Sequence, residues 1–181
     1  MMYHCIYRTP AQFDDMLLCS DGKVLTELRF IQACSQPAGS SACESNDLPI
    51  FQESCRWLDI YFSGKQPDFT PPYRMEKLTP FRKAVADIML SIPFGELVTY
   101  GDIAARLARQ QGRQKMSAQA VGGAVGWNPI CLIIPCHRVI GAGNRLTGYG
   151  GGMKNKIALL RLEGHRMHFG DEDDYQHWGA D

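Results

Sequence analysis

The sequence predicts an α+β chain, a small sheet with one helix followed by a mostly helical second half. Residues 3–31 break into short apolar runs (Cys5-Ile6-Tyr7, Met16-Leu17-Leu18, Val24-Leu25 through Phe30-Ile31) with turn signals at Thr9-Pro10 and Ser20-Asp21-Gly22, the layout of a small antiparallel sheet. From Thr79 onward apolar residues recur at helical rather than alternating spacing. Between these regions residues 66–73 hold Pro67, Pro71 and Pro72 and read as a linker. The expected division is therefore 1–75, 76–168 and an acidic tail 169–181.

Each element has a local cause. Residues 36–47 are rich in Ser, Ala, Asn and Gly and predict a loop. Asp47-Leu48-Pro49 offers a cap for a helix with Ile50, Phe51, Trp57, Leu58, Tyr61 and Phe62 on its apolar face, stopped by Gly64. Thr79-Pro80 places an N-cap before a first-turn proline, and Phe81, Val85, Ile88 and Met89 form one face before Pro93-Phe94-Gly95 breaks the helix. Thr99-Tyr100-Gly101-Asp102 resembles a capping box for a helix to about Leu107. A basic loop follows over 109–116, then Ser117 caps a helix over 118–127 that Asn128-Pro129 ends. Leu132-Ile133-Ile134 reads as a buried strand stopped by Pro135. Turn and loop residues fill 141–152, and a last helix spans 153–163 before Gly164.

The two short helices joined by a basic turn suggest a helix-turn-helix. The second, A-Q-A-V-G-G-A-V-G, carries three glycines, each costing about 1 kcal/mol relative to Ala in a helix interior. Such small side chains suit close approach by another backbone, either nucleic acid or a tightly packed helix.

With 181 residues and 45% apolar content the chain can bury one or two cores. No apolar run approaches the ~20 residues of a membrane span, and polar residues from His4 onward interrupt any signal-peptide layout. Seven cysteines without paired spacing then read as reduced thiols in the cytoplasm. The formal net charge of zero conceals segregation. Residues 1–99 hold 9 Lys/Arg against 12 Asp/Glu, residues 100–166 hold 10 against 2, and residues 167–181 hold none against 5. The basic block suits a polyanionic partner, or a merely solvated face.

Inside that block stands Pro135-Cys136-His137-Arg138. A thiolate is the reactive form of cysteine, and neighbouring His or Arg favours it. An inert core thiol is the usual alternative, but His and Arg are poor company for one. Metal ligation lacks a second Cys or His at zinc spacing. A nucleophile is the better reading. Glu163, in the last turn of a helix, opposes the dipole by about 0.3–1 kcal/mol. It is either a tolerated surface charge or the orienting partner of a histidine.

Pro135-Cys136-His137-Arg138-Val139, with Asn128-Pro129 before it and Tyr149, Gly151-Gly152 and Glu163-Gly164-His165 after it, resembles the O6-alkylguanine-DNA alkyltransferases, especially the prokaryotic methylated-DNA–protein-cysteine methyltransferases. The likeness is dense over about 79–167 and thin before it. It implies a ribonuclease-H-like α/β N-terminal domain and a mostly helical C-terminal domain with the helix-turn-helix. It further implies a monomer that takes the alkyl group from O6-alkylguanine in double-stranded DNA onto Cys136, once and irreversibly, with O4-methylthymine a candidate second substrate and no cofactor.

By position, His137 would take the thiol proton through a water, Glu163 would orient His137, Asn128 would brace the cysteine-bearing turn, and Tyr100 would protonate the departing guanine. Ser117, Ala118, Gln119, Gly122, Arg138, Val139, Tyr149, Gly150 and Gly151 would meet the DNA or the flipped base. Gln119 stands where the family carries an intercalating arginine, and the loop between the helices is longer than in mammalian members. Cys5 and Cys19 fall at zinc-ligand positions of those members, but Thr26 and the Pro71–Tyr73 region lack the two histidines, so no metal is expected. The rival functions are an alkyltransferase-like lesion binder, from which the reactive cysteine is missing, a helix-turn-helix regulator, for which the Ala/Gly helix lacks base-reading side chains, and a cysteine hydrolase, which would turn over.

Overall fold

The computed structural model describes residues 1–31, 43–44 and 47–166. The acidic tail and most of the expected 36–47 loop lie outside the described residues. The first half forms a four-stranded sheet in the order β3-β2-β1-β4, from β1 (Tyr3–Tyr7), β2 (Met16–Ser20), β3 (Leu25–Phe30) and β4 (Cys43–Glu44). β1 and β3 pair antiparallel with β2, and β4 runs parallel to β1. Helix α1 (Pro49–Phe62) turns Ile50, Phe51, Trp57, Leu58, Tyr61 and Phe62 inward. Its N-cap is Leu48, with no side-chain cap, so Asp47 does not cap it; Pro49 opens the first turn, where its missing N–H costs nothing.

The second half holds α2 (Pro80–Leu90), β5 (Val98–Thr99), α3 (Tyr100–Gln110), α4 (Ala118–Gly126), β6 (Val139–Ile140) and α5 (Met153–Leu162). The local signals act as expected. Thr79 Oγ1 accepts from Arg82 N at 3.2 Å, Thr99 and Asp102 form a reciprocal capping box, and Ser117 Oγ accepts from Ala120 N at 3.3 Å. Each such cap is worth about 1 kcal/mol. β5 pairs parallel with β6 and so ties the start of α3 to the segment after Cys136.

The linker is not a free tether. Leu25 N donates to Pro72 O and Arg74 N to Leu25 O, at 2.9 and 2.8 Å, which lays the linker along the outer edge of β3. Further along that edge Leu28 N donates to Pro129 O and Cys131 N to Leu28 O, both at 2.8 Å. These bonds cover an edge that would otherwise be open to other chains. The buried apolar residues of both halves form one continuous cluster, from Cys5 and Met16 to Ile134 and Leu159.

Leu132-Ile133-Ile134 is not a strand. Ile134 N donates to Ile130 O at 3.0 Å and Ile133 N to Cys131 O at 2.9 Å, which makes a tight turn with Leu132 at φ +69°. The apolar run reports burial on every side, which a buried turn requires as much as a buried strand does. Leucine, not β-branched, occupies the left-handed position at a cost of about 1–2 kcal/mol.

Candidate active site

The turn is held by Asn128. Its Nδ2 donates to Ile134 O at 2.8 Å and Ile130 O at 3.4 Å, while its Oδ1 accepts from Ile130 N at 3.0 Å. Pro135 follows, Cys136 N donates back to Ile134 O at 2.8 Å, and Cys136–Arg138 form one turn of 3-10 helix. This delivers Cys136 to a cavity of about 310 Å³. Tyr100 and Gly122 border it from α3 and α4, Tyr149–Gly151 from the glycine-rich loop, and Arg29 and Phe30 from the sheet. Gly151 has no room for a side chain, since a Cβ there would stand 2.6 Å from the Tyr149 ring and 2.8 Å from Phe30.

The surroundings of Cys136 hold its pKa down to about 7. The Cys131 thiol is the largest influence, donating to the sulfur; burial opposes it, and the Asn128 amide, the Tyr149 hydroxyl and the Lys156 cation act with it. The sequence expectation that His137 and Arg138 favour the anion is corrected here: neither is among the groups that lower the Cys136 pKa, and both bond Glu163 instead. Lys156 is fully buried on α5, with Nζ donating to Val139 O at 2.7 Å and Thr147 O at 3.3 Å. Burial lowers its own pKa to about 8, so it remains largely cationic at neutral pH.

Behind the cysteine lies a buried polar cluster centred on Glu163. His137 Nε2 is 2.8 Å from Glu163 Oε1. Arg138 Nε donates to Oε2 at 2.9 Å and Nη2 to Oε1 at 3.0 Å. Gly95 N donates to Oε2 at 3.0 Å, and the Tyr61 hydroxyl to Oε1 at 2.6 Å. Burial alone would raise the Glu163 pKa, but the hydrogen bonds from His137 and Arg138 and their charge prevail and hold it far below the carboxylate range. Burial depresses the His137 pKa, so the ring is neutral at pH 7. A neutral ring facing a carboxylate donates from Nε2, which leaves the lone pair on Nδ1. Nδ1 is buried without a hydrogen-bond partner among the described residues.

The other expected residues divide in three. Tyr100, Asn128, Gly122, Tyr149, Gly150 and Gly151 surround the cavity with Cys136. Burial raises the Tyr100 pKa, so its hydroxyl keeps its proton. Ser117, Ala118 and Gln119 are exposed at the start of α4, and the last two border an open depression shared with Tyr100 and Gly122. Arg138 and Val139 are corrected by the structure. Arg138 is spent on Glu163 and on Ile92 O, 2.7 Å from its Nη1, and does not border the cavity that holds Cys136. Val139 is fully buried against β5, not against the cavity. Among the described residues no group of three or more His, Cys, Asp or Glu gathers to hold a metal.

Two family models match in succession. The ribonuclease-like domain of 6-O-methylguanine DNA methyltransferase covers residues 2–74, and the DNA-binding domain of the same family covers 80–165. The chain belongs to this family. It is 36% identical over 162 residues to a methylated-DNA–protein-cysteine methyltransferase of Haemophilus influenzae, covering 90% of this chain and 86% of the relative. The crystal structure of the Mycobacterium tuberculosis O6-methylguanine methyltransferase superposes with a TM-score of 0.76 at 36% identity, over 94% of this chain and 97% of that one. A structure of the mycobacterial protein in complex with DNA matches with a TM-score of 0.70 at 35% identity, over 89% and 92%.

Against the family pattern, four contributions escaped sequence reasoning. Tyr61 looked like one more member of the α1 stripe. Arg29 and Phe30 reach the cavity only because β3 carries the turn on its edge. Cys131 is five residues from Cys136, a spacing with no meaning until the turn folds. Lys156 left one trace, since it and Asn155 are polar residues at inward positions of α5.

Proposed function

We propose that this protein repairs alkylated DNA by direct reversal, transferring the alkyl group of O6-alkylguanine in duplex DNA irreversibly to its own Cys136. The observation that carries this is a sulfur biased toward its anion on the wall of a base-sized cavity, with a protonated tyrosine in the same wall. The Cys136 thiolate attacks the alkyl carbon, a sulfur–carbon bond forms, and the bond from that carbon to O6 of guanine breaks. His137 Nδ1 relays the thiol proton through a water, and Glu163 holds the tautomer. Tyr100 donates to the purine as its charge grows. No cofactor enters, and the alkylated protein is the end product.

A base inside a duplex is out of reach of Cys136, so it must rotate out, at a cost of a few kcal/mol. α4 meets the minor groove, with Gln119 filling the vacated stack and the small faces of Gly122 and Gly123 admitting the backbone. Arg106, Arg109, Arg113 and Lys115 lie exposed on and after α3 and attract phosphates. Of the ten cations in the basic block, Arg138 and Lys156 are interior, so the charge count overstates the DNA-facing surface. The protein acts as a monomer of two domains, 1–75 and 76–168. No helix among the described residues is long and apolar enough to cross a membrane, and seven cysteines without paired spacing support a cytoplasmic location. A lesion binder or regulator without transfer is not favoured, because neither needs an activated thiol.

Incubation with a duplex carrying O6-methylguanine labelled in the methyl group tests this. Label passes to protein in an amount that levels off at one methyl per molecule, and Cys136→Ser abolishes it. Continued turnover, or undiminished labelling of the variant, overturns the proposal.

A further inference from the structure

Among the described residues, Cys131 and Cys136 are the two thiols on the wall of the same cavity, brought together by the turn Asn128 holds. Cys131 is paired through the backbone with Ile134, and the chain folds back across Pro135 from Ile134 to Cys136. The Cys131 thiol donates to the Cys136 sulfur. The turn thus sets the two cysteines side by side in one cavity wall, and the transfer chemistry gives Cys131 no bond to make or break.

We propose that Cys131 is a resolving cysteine, which captures Cys136 as an intramolecular disulfide when a peroxide oxidises it. The Cys136 thiolate attacks one peroxide oxygen, forming a sulfenic acid and releasing hydroxide. The Cys131 sulfur then attacks the sulfenic sulfur, the S–S bond forms, and the sulfenic oxygen leaves as water with the Cys131 proton. Overall two thiols lose two electrons and two protons, and hydrogen peroxide becomes two waters.

The environment favours this order. With Cys136 anionic, Cys131 is held protonated, chiefly by its hydrogen bond to Cys136 and next by burial. Oxidation of Cys136 removes that anion and frees Cys131 to react at the moment a partner exists. The disulfide stops further oxidation to sulfinic acid, which a thiol reductant cannot reverse. The nucleophilic thiol thus has a recoverable oxidised state.

Peptide mapping after hydrogen peroxide treatment of the full chain reads this directly, without DNA. Trypsin yields residues 116–138 as one fragment, whose two cysteines are Cys131 and Cys136. The expected fragment is about 2 Da lighter than the dithiol and returns to it with dithiothreitol. In Cys131→Ser the same fragment instead becomes about 32 Da heavier than its untreated form, as a sulfinic acid at Cys136 that resists dithiothreitol. A sulfinic acid at Cys136 with Cys131 still reduced in the wild-type chain overturns the proposal. So does a fragment that peroxide leaves unchanged. Because the wild-type result decides, poor folding of the variant would not rescue it.

Discussion

The Tyr61 hydroxyl donates to Glu163 Oε1 at 2.6 Å and stands 3.1 Å from His137 Nε2, so a residue of α1 completes the cluster behind the reactive cysteine. Its ring stacks on Trp57 at 5.4 Å and meets Phe94 edge-on at 5.9 Å, which fixes where the hydroxyl points. Tyr61→Phe keeps that packing and removes one donor to Glu163. The expected loss is about 1–2 kcal/mol of stability and up to about tenfold in the methyl-transfer rate. Urea unfolding and single-turnover kinetics measure the two separately; an unchanged rate would mean that the hydroxyl serves stability alone.

Arg138 supports Glu163 more strongly. Arg138→Ala leaves a carboxylate buried without its guanidinium and is expected to cost about 3–5 kcal/mol, seen as a lower urea midpoint. The acid limb follows from the same cluster. The pKa of Glu163 is depressed in the folded state, so its contribution is fully present above the unfolded value of about 4.3 and fades as pH falls below it. Unfolding free energy should therefore drop below about pH 4, and Glu163→Gln should start less stable and flatten that limb. An unaltered limb in the variant would contradict the assignment.

The cysteine sets the pH dependence of transfer. With a Cys136 pKa of about 7, the thiolate fraction and the single-turnover rate rise through neutral pH and level off above it. His137 stays neutral across this range because burial lowers its pKa. Lys156→Met removes a cation that favours the thiolate, so the inflection should move to higher pH. A rate independent of pH between about 6 and 9 would remove the thiolate from the rate-determining step.

The glycines of α4 separate stability from DNA contact. A Cβ on Gly123 would meet nothing within 4 Å, so Gly123→Ala should stabilise the protein by about 0.5–1 kcal/mol through helix propensity. If α4 lies against DNA, the same change weakens duplex binding. Thermal unfolding and a binding titration on one variant decide the point, and stabilisation with unchanged affinity would move the DNA face elsewhere.

The sequence shows this site unevenly, for reasons visible in single residues. Thr79, Thr99 and Ser117 act within one turn of themselves, and the helices they start lie where the sequence places them. Asn128, Cys136 and Glu163 can be singled out because polar groups at those points have a chemical purpose. What fails is anything that depends on direction. Arg138 follows the cysteine in sequence and suggested DNA contact, yet the 3-10 turn drives it inward to Glu163. Leu132–Ile134 carries a strand's composition, but the Asn128 side chain closes it into a turn. Tyr61 gives no sign of its role, because its partner is about a hundred residues away.

The central claim is covalent, and mass spectrometry tests it most directly. After incubation with excess duplex containing O6-methylguanine, the intact chain should gain about 14 Da once and no more. Fragmentation of residues 116–138 should place the added methyl on Cys136. An unmodified chain, or a methyl found on Cys131 or any other cysteine, would contradict the account.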